Sequence, residues 1–180
     1  DSIELNRKNL ISTTNWLVNV DKRLTLKQVI PQIKFLQDKK GNSSHKNEKA
    51  KNYFTCHDTS INNLGFIEFT DVIYYNNNMV NLIADELEKK SKNIIIHFNA
   101  LDDIKINSLN EGLDATIIHS SFSKLINDLL SIIEKQNIKS SFILSFNKKL
   151  TFQEYISFKS ILSELSTNPI FISNNEFLTD

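Results

Sequence analysis

Short apolar runs alternate with amphipathic segments of ten or more residues along most of this chain. Asn15 to Val20 is an apolar run, and after a charged turn apolar residues recur at three- and four-residue steps from Leu26 to Leu36. The first pattern is typical of a strand and the second of a helix that buries one face. Such alternation predicts parallel βαβ units, and so an α/β fold with a mostly parallel sheet and helices on both faces.

The other segments continue this alternation, and two local signals place helix starts. Thr151 and Glu154 have the spacing of a capping box, which predicts a helix that begins beside Thr151. Pro31 is tolerable in the first helix only if that helix begins late, near residues 26–29, or kinks. The further strands are predicted at residues 2–5, 65–70, 94–98, 141–146 and 169–173, and the further helices at residues 79–90, 113–136 and 151–165.

The length of the chain and an internal repeat bear on its domain organisation. All 180 residues are predicted to form a single domain, with a polar surface loop at residues 38–52. Residues 15–36 align without gaps on residues 141–162, so that Leu24 falls on Leu150. A fold built from repeated βα units predicts an echo of this kind.

Charge, cysteine content and hydropathy exclude several classes of protein. The 21 basic and 21 acidic side chains cancel, whereas nucleic-acid binding needs a positive field, so we expect no nucleic-acid partner. A single cysteine excludes an internal disulfide framework and fits a reducing, cytoplasmic location. No apolar run approaches the roughly 18 residues of a membrane span, so we expect no membrane partner. The first residue is not methionine, which suggests a fragment or a processed chain.

The chain lacks the glycine-rich loop that binds phosphate in dinucleotide-binding folds. In those folds, glycines after the first strand let the backbone approach the pyrophosphate at a helix N-terminus. The corresponding turn here runs from Asp21 to Thr25 and contains no glycine. We therefore expect no cofactor. The three glycines of the chain are Gly41, Gly65 and Gly112.

Metal-binding and nucleophilic clusters are also missing from the sequence. Cys56, His57 and Asp58 are consecutive, so neighbouring side chains point to opposite sides of a strand, and no further cysteine or histidine follows at ligand spacing. No metal site is therefore expected. His97 is predicted to be a core histidine within a strand, and the two aspartates at residues 102–103 are predicted to form a turn.

The stretch from Gly65 to Lys159 resembles the short-chain dehydrogenases and reductases. Residues 69–72, Phe-Thr-Asp-Val, are similar to the end of that family's third strand. Residues 95–101 are similar to its fourth strand with the Asn-Ala-Gly motif, except that Leu101 replaces the glycine. The resemblance implies a Rossmann-like fold.

Three residues match the catalytic residues of that family. Ser145 stands where the family ends its fifth strand in a catalytic serine, and Tyr155 and Lys159 have its Tyr-x-x-x-Lys spacing. This spacing places both side chains on one helix face, where a lysine can lower the pKa of a tyrosine for proton transfer to a carbonyl. One alternative hypothesis is therefore a divergent NAD(P)H-dependent reductase that uses these three residues. The structural alternative is a half-buried tyrosine beside a solvated lysine.

One branch of the family lacks the same parts as this chain. Modular polyketide synthases carry ketoreductases whose first half is a truncated Rossmann-like subdomain, which binds no cofactor and braces the catalytic half. Residues 14–146 are similar to that subdomain: Trp16-Leu17-Val18 resembles its first core strand, and residues 95–98 resemble a later one. The resemblance implies a non-catalytic subdomain whose partner is an adjacent domain or subunit, with no catalytic residue expected. This is our first hypothesis.

A second resemblance supplies a further alternative. The stretch from Gly65 through Glu111-Gly112-Leu113 looks like a crotonase-type acyl-CoA hydratase. That family builds an oxyanion hole from backbone N–H groups in glycine-rich turns. The required glycines are missing here, so this resemblance implies an inactive acyl-CoA-binding domain.

Overall fold

Nine strands and three helices form within the part of the chain that the computed structural model describes, which is residues 13–43, 47–58, 63–76, 92–108, 116–136, 140–163, 165 and 171–180. Their bounds in chain order are β1 Trp16–Asn19, α1 Leu26–Gly41, β2 Asn52–Asp58, β3 Asn63–Glu68, β4 Ile73–Asn76, β5 Lys92–Ala100, β6 Asp103–Ser108, β7 Thr116–Ser120, α2 Leu125–Gln136, β8 Ser140–Asn147, α3 Phe152–Ser163 and β9 Phe171–Thr179.

The strands belong to two sheets. In the smaller sheet, β2 lies between β1, to which it is parallel, and β3, to which it is antiparallel. The larger sheet has the order β4-β9-β8-β5-β6-β7, in which the first four strands are parallel and the last two pairings are antiparallel. The fold is therefore of the α/β class, with sheets that are parallel only in part.

All three helices pack against one apolar core, which also includes residues from both sheets. In β8, Leu144 faces this core, whereas Ile143 belongs to a second, small cluster with Ile95 and Phe177. Because successive side chains of a strand alternate between its faces, the described helices cover one face of the larger sheet. The prediction of helices on both faces is not met by these three helices, and the helix predicted at residues 79–90 lies outside the described residues.

The single helix predicted at residues 113–136 is replaced by a strand and a helix in its described part, residues 116–136. Thr116–Ser120 form strand β7, and α2 begins only at Leu125. Ile117 and Ile118 are β-branched, and such residues fit a pleated, half-buried surface better than a helix. The helical prediction is therefore wrong for this strand and correct for the part that became α2.

The polar loop predicted at residues 38–52 is shorter in the structure. Helix α1 continues to Gly41, and β2 begins at Asn52. Residues 44–46 lie outside the described part of the chain, as do the strand predicted at residues 2–5 and the sequence around Gly112. None of the described helices has the length and hydrophobicity needed to cross a membrane.

Several predicted elements are confirmed. Strand β1, helix α1 and strand β8 lie where their sequence patterns place them, and α1 begins at Leu26, within the range that Pro31 requires. The capping box before α3 is present, because the Thr151 N–H donates to Glu154 Oε2 at 2.7 Å and the Glu154 N–H donates to Thr151 Oγ1 at 3.2 Å. The turn predicted at residues 102–103 is confirmed for Asp102, and Asp103 begins β6.

The internal repeat corresponds to two βαβ units, β1-α1-β2 and β8-α3-β9, each with parallel strands. The two units meet at what we call the helix-start junction, formed by residues 22–27 and 148–153. Thr25 and Thr151 pair there as an isolated antiparallel bridge. Aligned residues make the same contacts in both directions. The Leu26 N–H donates to the Leu150 carbonyl oxygen at 2.9 Å, and the Phe152 N–H donates to the Leu24 carbonyl oxygen at 2.7 Å. The Lys27 N–H donates to the Lys148 carbonyl oxygen and the Gln153 N–H to the Lys22 carbonyl oxygen, both at 3.0 Å.

Candidate functional site

The start of helix α1 is where a dinucleotide-binding fold would hold its pyrophosphate. Free backbone N–H groups at a helix N-terminus make such a site. Here the N–H groups of Leu26 and Lys27 already donate to the carbonyl oxygens of Leu150 and Lys148 across the helix-start junction. A phosphate could bind these groups only by displacing carbonyls of the other βαβ unit.

The turn before α1 contains an ion pair where a phosphate loop has glycines. Arg23 Nη2 lies 2.6 Å from Asp21 Oδ2, and Arg23 Nε lies 3.0 Å from Asp21 Oδ1. The hydrogen bonds from Arg23 lower the pKa of Asp21 to about 2. Both side chains are exposed, so this pair shapes the turn at the surface and leaves the turn without the bare backbone that pyrophosphate requires.

A buried polar cluster joins α3 to two strands of the larger sheet. We call it the Glu176 cluster, and it comprises Tyr74 of β4, Tyr155 and Lys159 of α3, and Glu176 of β9. The Tyr155 hydroxyl donates to Glu176 Oε2 at 2.8 Å and lies 3.1 Å from the Tyr74 hydroxyl. Lys159 Nζ forms an ion pair with Glu176 Oε1. Since the Tyr155 proton is directed to Glu176, the Tyr74 hydroxyl donates to Tyr155, and every member has a partner.

The structure brings Tyr155 and Lys159 together but places Ser145 elsewhere. Leu144 is paired with Glu176, and Ser145 is paired with Phe177. Because adjacent residues of a strand face opposite sides, Ser145 lies on the sheet face away from the Glu176 cluster. Its Oγ is buried and has no hydrogen-bond partner among the described residues. The three residues that resemble a reductase triad therefore do not converge on one site.

Burial governs the acidity of the two tyrosines. Burial raises the pKa of Tyr155 well above its ordinary value, and the negative charge of Glu176 raises it further. The pKa of Tyr74 is raised for the same two reasons, in the same order. A reductase tyrosine needs the opposite shift, because its proton must leave readily at neutral pH. Tyr155 is only 1% exposed, so a substrate carbonyl also has no access to its hydroxyl.

The raised pKa values predict that the protein loses stability in alkaline solution. Both tyrosines contribute stability fully below the unfolded-state pKa of about 10, and this contribution falls as the pH rises above it, because the unfolded state releases the protons first. Absorbance at 295 nm should therefore show tyrosinate from Tyr74 and Tyr155 only as the chain unfolds. Tyr155→Phe should flatten the fall in unfolding free energy between pH 10 and 12. If the unfolding free energy of Tyr155→Phe fell as steeply with pH as that of the wild type, the raised pKa of Tyr155 would be contradicted.

Sequence reasoning missed half of this cluster. Tyr74 and Glu176 lie far from Tyr155 along the chain, and only the parallel pairing of β4 with β9 brings them together. One signal was available: Glu176 is an acidic residue directly before the apolar pair Phe177-Leu178 in a strand, and a charge in such a setting is normally paired. Glu176 has no exposed surface at all.

Among the described residues, the remaining polar side chains form no further cluster suited to chemistry. His97 is half-buried in β5, where burial first and Lys105 second lower its pKa. Within the described residues, no group of three or more His, Cys, Asp or Glu side chains lies close enough to hold a metal ion. An open groove of about 480 Å³ lies beside the helix-start junction and the end of β9. It is lined by Leu26, Lys27, Pro31, Asn76, Lys148, Leu178 and Asp180.

Comparison of the chain with known protein families, with curated proteins and with solved structures finds no match. The geometry contains two distinctive features, the helix-start junction and the Glu176 cluster, and both use their polar groups inside the protein.

Proposed function

We propose that this chain is a non-catalytic module that braces a neighbouring domain, as the structural subdomain of a polyketide synthase ketoreductase does. The single observation that carries the proposal is that the groups a reductase would use are already engaged. The first N–H groups of α1 are bonded to Leu150 and Lys148, and Tyr155 and Lys159 are bonded to Glu176. Chemistry at either place would first require the fold to open.

A Rossmann-like ancestry forms part of the same proposal. Two βαβ units with parallel strands, β1-α1-β2 and β8-α3-β9, support it. The antiparallel run β5-β6-β7 is a departure from a fully parallel sheet. The partner in this proposal is an adjacent domain or subunit, and its docking surface includes an exposed apolar row on the smaller sheet. That row comprises Leu17, Tyr53 and Phe66, of which Leu17 and Phe66 are 54% and 51% exposed.

A cofactor titration tests the proposal. Thermal unfolding of the full chain should give the same midpoint with and without millimolar NADPH or NADH. A working reductase that binds its cofactor at micromolar Kd would gain roughly 4 kcal/mol at a thousandfold excess over Kd, which raises the midpoint by several degrees. Saturable stabilisation of the wild type by either nucleotide would overturn the proposal in favour of the reductase alternative.

A further inference from the structure

The two βαβ units can be compared strand by strand, because the helix-start junction relates them. The alignment that places Leu24 on Leu150 also places Leu17 of β1 on Ile143 of β8, and Asn19 on Ser145. Strand β1 is parallel to β2, and β8 is parallel to β9, and the helices pack on the strand face that carries Val18 in β1 and Leu144 in β8. Because βαβ crossovers are right-handed, each strand has its partner on the corresponding side. The comparison therefore extends to the opposite edge of each strand.

The opposite edges of β1 and β8 differ. In the second unit, β5 pairs in parallel with β8, with Ile95 opposite Ile143 and His97 opposite Ser145. In the first unit, no described strand pairs with the outer edge of β1. The equivalent of β5 is missing from the described part of the chain.

The backbone of β1 offers hydrogen-bonding groups along this outer edge. The Trp16 N–H donates to the Lys51 carbonyl oxygen at 2.9 Å, so the peptide groups of Trp16 face β2. Because peptide groups alternate in direction along a strand, those of Leu17 and Asn19 face outward. An exposed edge of this kind is a template for strand addition.

The equivalent side chains of β1 and β8 also differ, in their exposure to solvent. Ile143, which has Ile95 beside it, is 1% exposed, whereas its counterpart Leu17 is 54% exposed. Next to Leu17 on the same sheet face lies Tyr53, its Cα partner in β2. A strand added at β1 would place a side chain beside Leu17, as β5 places Ile95 beside Ile143.

We propose that the outer edge of β1 binds an extended segment of a partner protein. The segment runs parallel to β1, bonds to the peptide groups of Leu17 and Asn19, and places an apolar side chain against Leu17. The pairing of β5 with the equivalent edge of β8 is the basis for both the parallel direction of the bound segment and its apolar side chain. Main-chain bonds would supply affinity and the Leu17 contact specificity. The inference rests on the proposed function, since it names how the neighbouring protein is held.

The test uses a peptide with the sequence of β5, which pairs in this way with β8. A fluorescein-labelled peptide with the sequence of residues 92–98, Lys-Asn-Ile-Ile-Ile-His-Phe, is titrated with the full chain and followed by anisotropy. We expect saturable binding that Leu17→Lys weakens by about tenfold or more, since a lysine on an edge strand disfavours pairing. Ile73→Lys is the matched control, because Ile73 is 51% exposed on the edge strand β4. It should change the Kd less than about twofold.

Two further measurements make the result specific to strand addition. Two versions of the peptide are N-methylated, one at its odd positions and one at its even positions, so that each loses the N–H donors along one of its two edges. Only the version that loses the donors facing β1 should fail to bind. Bound peptide should also slow hydrogen exchange at the amides of Leu17 and Asn19 by about tenfold or more. Absence of saturable binding, or equal binding by Leu17→Lys, overturns the inference. The proposed function falls only if NADPH stabilises the chain, so the two failures are distinguishable.

Discussion

Replacing Glu176 with glutamine should lower the free energy of unfolding by about 3 kcal/mol, because it leaves the ammonium group of Lys159 largely buried without a counter-charge. The Lys159 side chain is 15% exposed and the Glu176 side chain is fully buried, so solvent cannot replace the lost partner. Urea unfolding followed by circular dichroism at pH 7 measures the change. The slope of the unfolding free energy against urea concentration should be the same in wild type and variant, which indicates that unfolding remains two-state.

The surface pair Lys51–Glu68 provides the matched control for this experiment. Its nitrogen and oxygen lie 2.8 Å apart, but both side chains are 41% exposed. Glu68→Gln should therefore change the free energy of unfolding by no more than about 1 kcal/mol. Equal effects of the two substitutions would show that the Glu176 pair behaves as an ordinary surface contact. The double variant Lys159→Met with Glu176→Leu should recover part of the loss, because no charge is then left buried.

Replacing Phe54 with alanine should destabilise the protein by about 3–5 kcal/mol, the range for truncating a buried aromatic residue. Phe54 of β2 is 0% exposed and connects the smaller sheet to the helices. Its ring stacks on Phe69 at a centroid distance of 3.9 Å and meets Phe152 of α3 edge-on at 5.1 Å. Its removal therefore opens a cavity between the smaller sheet and α3, and urea unfolding measures the cost.

The neighbouring strand of the same sheet offers a control of the same residue type. Phe66 of β3 is exposed and contacts Tyr53 at a ring-centroid distance of 6.3 Å. Phe66→Ala should stay within about 0.5 kcal/mol of the wild type. A similar loss in both variants would mean that burial against α3 is not what holds the smaller sheet in place.

Local sequence patterns were sufficient for the elements that stand between strong boundary signals. The nearly all-apolar run of β5 indicates a strand buried on both faces, the pattern of β8 indicates another strand, and the capping box at Thr151 gives the start of α3. Strand β2 was missed because its first residue, Asn52, follows a lysine-rich segment, so its pattern merges with that of a loop. Strand β7 was missed because two adjacent isoleucines fit either period over so short a run.

The candidate site shows where pattern reasoning stops for a different reason. The Tyr155–Lys159 spacing correctly predicts that both side chains share one face of a helix. What they do depends on Glu176, which β9 brings beneath α3 through strand pairing that no local pattern encodes. The same spacing would serve proton transfer beside an open cleft, and here it holds a helix to a sheet.

The strand order of the larger sheet also determines how the chain must assemble as it is synthesised. Strands β8 and β9 are made last among the described strands, yet they lie between β4 and β5, which are made earlier. At roughly 5–20 residues per second, β5 waits several seconds on the ribosome for its partner β8. During this time one edge of β5 and the whole of β4 lack their partners, and the starts of α1 and α3 cannot yet meet. A premature stop before residue 140 would therefore yield an aggregation-prone chain, although it removes less than a quarter of the sequence.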